Sequence, residues 1–535
     1  MTLVLRSRAC QIAAVMMTFL AVAALHRHSD GLWFQGDAPR HAVNGLFWWD
    51  LVHSLPRDPL AYALRYYARY PVIAPVTYPP LFYLVEGLSF AAFGSSPYVA
   101  KSVVLVFAIL AGLYTMAWAR RWIGEPAGWA GAFLAFIPGI VLWSNTVMLN
   151  VPATALGLGS LYHFRRWLET GRTTPGFAAA AFAIAVLLTY YPGGIVLCVL
   201  VTWAFVDGRS FRFDRRLLWI AAAVLVALLP LVAALTLAPV HTSRQLPTIA
   251  FLTKRVTWTF YWRALPGVVG MPALAAGAAG IAAAAWTRPW RTEADYLGSW
   301  ILMLVLVLSL LPARDARYVL LAAPAFVLAA AVAVAWTARR VAIAPAWQVV
   351  GLVATLIAGG WSASRMPIPQ VSGFGELTEY LHRQGPADTV LYDGAYDGLF
   401  GFYVRASDPQ FVRRIVLANR LLFEAGPTTT FKWVQKSNVA STDDVVTLLQ
   451  ARCGCRWVAI EVDNRPIWAE GQRLLRQAVV RPEFELARSF PIEGAGDRRV
   501  DLYRVTSVVS PVSTVDLEFP SVSNRTFQGV VPITR

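Results

Sequence analysis

Lysine is nearly absent from this 535-residue chain, occurring only at Lys101, Lys254, Lys432 and Lys436. Charge of either sign is scarce: 15% of residues, against about 25% in a soluble domain. Long apolar blocks on that background exclude a disordered, collagenous or wholly soluble chain. Cysteine is also rare. Cys10 and Cys198 lie in apolar segments, and Cys453 and Cys455 are too close for an easy bridge with each other. No disulfide framework is visible, so cysteine does not fix the compartment. There is no glycine-rich nucleotide-phosphate loop, no tandem repeat and no low-complexity tract.

What is abundant is apolar surface. Hydrophobic residues make up 57% of the chain, and mean hydropathy is +0.51. The net charge of +16 comes almost wholly from arginine. These arginines fall in short clusters between apolar blocks, the habit of a polytopic membrane protein rather than a nucleic-acid binder. No nucleic-acid partner is expected. Arginine in place of lysine points to a bacterial source with a GC-rich genome, hence to an inner (plasma) membrane.

A span needs roughly 20 apolar residues. Eleven stretches qualify: about 9–26, 98–119, 125–144, 148–164, 175–190, 192–206, 217–238, 264–286, 297–312, 316–336 and 346–364. With the N-terminus inside, the inside connections hold Arg120–Arg121, Arg165–Arg166–Arg172, Arg209–Arg212–Arg215–Arg216, Arg288–Arg291 and Arg339–Arg340. Eleven spans then place the C-terminus outside. The expected architecture is a polytopic α-helical membrane domain, 1–364, followed by a soluble extracytoplasmic α/β domain, 365–535. In the latter, helix-like stretches (374–384, 442–452, 467–480) alternate with strand-like TVLYD, FGFYVRA, RRIVL, WVAIEV, ELARSF and VDLYRV. Asp393–Gly394 and Asp397–Gly398 read as turns. Residues 79–94 are short, open with Pro79–Pro80 and contain Glu86, so they read as a helix lying at the outer membrane–water interface.

Two outside segments are long, about 27–97 and 239–263, and they hold the residues suited to chemistry. Asp37, followed by Ala-Pro, makes a sensible helix N-cap. A second, sharper reading is a carboxylate held at the membrane surface as a general base. His41, one turn on, shares its face if the segment is helical, and Arg40 is adjacent. Glu86 and His241 are two donors suited to a divalent metal ion, with no third in view.

The order of landmarks resembles the GT-C superfamily of membrane glycosyltransferases. Its closest branch is that of bacterial protein O-mannosyltransferase-like proteins and lipid A aminoarabinose transferases. The resemblance rests on GDAPRH after the first span, then VTYPPLFYLVEGLSFAAFG, a span ending in Arg120–Arg121, MLNVPA, LLTYYPGG and DARYVLLAAPA. The tail, with VLYDGAYDGLFGFYVRASDP and WVAIEVDN, resembles tails of bacterial members. The resemblance implies transfer of a sugar from a polyprenyl-phosphate carrier, usually with inversion, to a protein, lipid or glycan acceptor on the outer face. It implies Asp37 as the catalytic base. Candidate ligands for the departing phosphate are Lys254, Arg255, Arg263 and Arg317, with Arg40, His41, Tyr78, Asn150, Tyr191 and Tyr318 completing the substrate site. Ala38 stands where many relatives have Glu, Asn150 where many have a second Asp, and Tyr190 or Tyr191 where many have Lys. A flippase of lipid-linked glycans, or a catalytically degenerate scaffold, are the alternatives.

Overall fold

The structure is a computed structural model that describes residues 5–26, 31–32, 37–73, 78–206, 251, 253–311, 314–385, 387–425, 435–462, 469–494, 496–506, 512–519 and 527–532. The expected span 217–238 and His241 lie outside the described residues.

The first part is helical. Helix α1, Arg8–His26, is followed by α2, Ala38–Ser54, the short α3, Pro59–Arg69, and α4, Leu81–Phe93. Next come α5, Pro97–Trp122, α6, Pro138–Ser144, α7, Asn150–Thr170, α8, Thr173–Leu187, and α9, Ile195–Val206. Beyond the gap follow α10, Arg255–Val269, α11, Met271–Trp286, α12, Arg291–Leu310, α13, Ala323–Arg340, and α14, Pro345–Ser364.

Among the described residues, five helical stretches are long and apolar enough to cross a membrane: Arg8–His26, Pro97–Trp122, Arg291–Leu310, Ala316–Arg340 and Ala346–Ser364. Two expected spans are broken helices instead. Residues 125–144 bend by 60° at Ile137–Pro138, where proline removes a helical donor. Residues 264–286 are bent rather than straight: α10 and α11 meet at 112°. Gly270 makes that corner with φ of 86°, a value that disfavours any side chain. The helix that begins at Arg255 continues through Val269, past the expected boundary at 263.

Small residues let these helices touch. A Cβ at Gly280 of α11 would sit 1.8 Å from the Ala329 carbonyl oxygen of α13, so the backbones are in direct contact.

The C-terminal part is built on a five-stranded sheet: β1, Thr389–Asp393, β2, Arg414–Leu417, β5, Cys455–Val462, β6, Phe484–Ile492, and β7, Arg498–Val505, in the order β2-β1-β5-β7-β6. The short strands β3, Phe423–Ala425, and β4, Gln435–Ser437, pair separately, as do β8, Thr514–Phe519, and β9, Phe527–Pro532. Strands β1, β2 and β5 are parallel; β7 is antiparallel to both β5 and β6. Helices Phe374–Gln384, Thr442–Thr447 and Glu470–Ala478 fall where the sequence suggests them. One strand-like stretch is not a strand. FGFYVRA belongs to a helix, Asp397–Ala406, in which Leu399, Phe400, Phe402, Val404 and Arg405 are all buried. A helix buried on every side shows no polar stripe, and its aromatic, β-branched content imitates a strand. Asp397–Gly398, read as a turn, opens that helix.

Candidate active site

Pro39 sits in the first turn of α2, where its missing N–H costs nothing, and Asp37 precedes it. Asp37 fulfils only part of the cap reading. Its backbone carbonyl accepts from the His41 N–H at 2.8 Å, but its side chain makes no cap hydrogen bond. The carboxylate points elsewhere. Its Oδ2 lies 3.2 Å from Nη2 of Arg317 and accepts from the Tyr78 hydroxyl at 3.4 Å. Burial, then the neighbouring Asp37 charge, push the Tyr78 phenol well above its usual range, so it is a donor to that carboxylate.

Arg317 is supplied from far along the chain by Asp315–Ala316–Arg317–Tyr318. Asp315 caps its own helical turn, accepting from the Arg317 N–H at 3.0 Å, and its Oδ2 stands 3.0 Å from Arg317 Nε. The guanidinium is thus shared between two carboxylates and lies over the Tyr318 ring at 5.7 Å. Tyr190 bridges the aromatic wall, 6.1 Å from Tyr78 and 6.3 Å from Tyr318 between ring centroids.

Beside this wall lies a narrow, half-open cleft. Its lining joins the polar Asn150, Thr154, Tyr190, Arg317 and Tyr318 to apolar Leu304, Leu320 and Leu321. Asn150 donates weakly to the Arg317 carbonyl at 3.5 Å, while its buried Oδ1 has no protein partner.

His41 is buried beneath the site. Its Nδ1 pairs with the Tyr83 hydroxyl at 2.7 Å, and its ring meets Tyr78 edge-on at 5.0 Å. Burial, against the opposing pull of Asp37 and with the help of Arg317, lowers its pKa to about 4. It is a neutral support for Tyr78 and Tyr83.

Not every expected residue joins the cluster. Arg40 pairs with Asp397 of the C-terminal region at 3.1 Å. Tyr191 does not line the cleft; its neighbour Tyr190 does. Lys254, Arg255 and Arg263 are exposed along α10. The cation that the sequence reading passed over is Arg314, three residues before Arg317. It donates to Thr257 Oγ1 at 2.6 Å and lies over Phe251 at 4.5 Å. Its presence in the same RDAR stretch as Arg317 was the available signal. Glu86 stands apart from the cluster, and His241, the other expected metal donor, lies outside the described residues. The Glu86 carboxyl is fully buried with both oxygens unpartnered, and a Cβ at Gly45 of α2 would lie 2.4 Å from Oε2. Among the described residues no three His, Cys, Asp or Glu side chains gather to hold an ion. No step below runs through a metal.

No model of a known protein family matches the sequence, and no curated protein matches it. Solved structures do match. ArnT from Cupriavidus metallidurans, bound to undecaprenyl phosphate, aligns over 94% of this chain and 99% of its own, with a TM-score of 0.61 and 15% identity. The chain has the GT-C fold. The oligosaccharyltransferase of Archaeoglobus fulgidus shares it at a TM-score of 0.54 and 12% identity, over 85% of this chain and 70% of that one. The arabinofuranosyltransferase AftD from Mycobacteria does so at 0.54 and 15%, over 96% of this chain but 41% of its own. At such identities the likeness is one of fold, and within the GT-C fold the roles of Asp37 and Arg317 rest on this chain's own geometry.

Proposed function

We propose that this protein is an integral membrane glycosyltransferase that moves a sugar from a polyprenyl-phosphate carrier to an acceptor hydroxyl on the outer face of the membrane. The observation that carries this reading is the Asp37 carboxylate. It leaves its helix uncapped and turns to an arginine that lines the cleft. A guanidinium among tyrosines suits a phosphate headgroup, and the solved GT-C structure of ArnT was obtained with undecaprenyl phosphate. An archaeal oligosaccharyltransferase of the same fold was obtained with dolichol phosphate and an inhibitory peptide.

In this reading Asp37 takes the proton from the acceptor hydroxyl as its oxygen attacks the anomeric carbon. The bond from that carbon to the phosphate oxygen breaks on the opposite face, inverting the centre. Its electron pair leaves with the polyprenyl phosphate, whose growing charge is met by Arg317, with Arg314 nearby. Tyr78 holds the carboxylate in line. The Asn150 Oδ1 accepts from a hydroxyl of the bound donor. The arginine clusters favour an N-terminus inside and a C-terminal region outside, and the Arg40–Asp397 pair keeps that region on the side of Asp37.

The test is transfer from radiolabelled polyprenyl-phosphate sugars in membranes carrying the wild type or Asp37→Asn. Transfer by the wild type alone supports the reading and names the donor. Equal transfer by both puts the base elsewhere. No transfer from any common donor removes the transferase reading.

A further inference from the structure

The helix that begins at Asp37 is not held by the membrane helices alone. It lies alongside the Asp397–Ala406 helix of the C-terminal region, running in the same direction. Near its start, Arg40 Nη2 pairs with Asp397 Oδ2 at 3.1 Å; ten residues on, Asp50 pairs with Arg405. Two helices held at both ends over about 15 Å move as one body.

The two ends differ in kind. Arg405 is a buried rivet. Its Nε donates to the Tyr66 hydroxyl at 2.9 Å and its Nη1 to the Asp408 carbonyl at 3.0 Å. The same Tyr66 hydroxyl donates to Asp50 at 2.9 Å, and Tyr70 donates to Asp408 Oδ2 at 2.6 Å. Burial disfavours the Arg405 charge, but Tyr66, Asp50 and Tyr70 outweigh that and push its pKa further up. The near end is more open, with the Asp397 side chain 15% and Arg40 41% exposed. It is also tightly fitted. A Cβ at Gly398 would lie 3.2 Å from Arg40 Cγ and 3.4 Å from Pro39 Cβ. The Asp397 side chain is itself fixed, its Oδ1 accepting from the Gly398 N–H at 2.7 Å.

We infer that Asp397 is a positioning residue for the reaction. Acting through Arg40, it sets the first turn of α2 from the C-terminal side, while Arg317 holds Asp37 from the membrane-helix side. The carboxylate is then aimed by two parts of the chain at once. Asp397 touches no reacting atom. Its contribution is orientation, and a small misplacement of a reacting group is costly. The inference rests on Asp37 being the base.

The test uses the full-length protein in lipid nanodiscs, with Asp397→Asn, Asp397→Glu and the exchanged pair Arg40→Asp with Asp397→Arg. Two readouts are taken: transfer kinetics, and hydrogen–deuterium exchange of residues 38–44. Asp397→Asn should lower kcat on the order of tenfold or more, leave the KM for the lipid donor unchanged and speed exchange in 38–44. Asp397→Glu should keep most of the activity, and the exchanged pair should restore both readouts. Unchanged kcat and exchange in Asp397→Asn overturn the inference. So does an exchanged pair that recovers slow exchange without recovering kcat, because Arg40 would then serve substrate directly. If the wild type transfers nothing, exchange still decides. Faster exchange in Asp397→Asn, reversed in the exchanged pair, keeps the clamp and removes the transferase reading; an unchanged pattern removes the clamp.

Discussion

Two arginine–carboxylate pairs sit at opposite ends of the same helices. Arg165, near the end of α7, meets Glu293, in the first turn of α12, and their side chains are 6% and 4% exposed. Arg317 and Asp37, beyond the other ends of those helices, are 16% and 34% exposed. The Arg165 guanidinium is caged by Trp122, Trp118 and Tyr296, at 4.1, 5.2 and 4.6 Å from their ring centroids. It makes two hydrogen bonds to Glu293, one of 2.7 Å, and Trp118 adds a third donor at 3.4 Å. Around Arg317 a single oxygen of Asp37 is engaged, and Asn150 leaves an acceptor open. The same pairing serves different ends. A closed, saturated pair holds helices together; an open, undersatisfied one leaves room for a third party.

That contrast can be broken by experiment. Glu293→Gln leaves the Arg165 charge buried without its counter-ion and should cost about 3–5 kcal/mol of stability. Arg165→Met with Glu293→Leu should cost far less, because an apolar pair of similar volume needs no compensation. Thermal unfolding in detergent measures both, and equal losses would mean the pair is not structural. Asp37→Asn should behave in the reverse way. Unfolding should hardly move, while transfer falls about a hundredfold or more. A matching loss of stability would place Asp37 with Glu293 instead.

Acid should act on the outer region through His41. Its pKa is lowered to about 4 from an ordinary 6.5, so between those values the unfolded chain binds a proton that the folded one refuses. Stability therefore rises with pH across that window and falls on acidification, by about 2 kcal/mol from pH 6.5 to about 5. His41→Gln should flatten the profile; a slope that survives assigns it to another group. The smallest effect is expected for Asn150→Ala. Loss of one neutral acceptor should raise the donor KM about fivefold with kcat nearly unchanged, measured by initial rates over a donor series.

Much of the site was legible because its parts are local. Asp37, Tyr78, Asn150, Arg317 and Tyr318 stand in short motifs at segment ends, and the fold gathers all five. What was not legible depended on packing across distance. Most of the 397–406 helix is buried, its Arg405 included, so no alternation or polar stripe betrayed it. The partner of Arg40 lies 357 residues away. The corner at Gly270 hid within one apolar run, since hydropathy averages over a bend. Tyr190 and Tyr191 are adjacent and chemically alike, and only the short helical turn that begins at Tyr191 decides which one faces the cleft.

The separation of Asp37 from Arg317, 280 residues, has a consequence in time. At about 5–20 residues per second, the arginine leaves the ribosome roughly 15–60 s after the carboxylate. Asp397 follows later still. Through that interval the first turn of α2 has neither of its charged anchors. The site is therefore a late product of biosynthesis, and a chain halted before the C-terminal sheet would hold most of its apolar helices while leaving Asp37 unaimed.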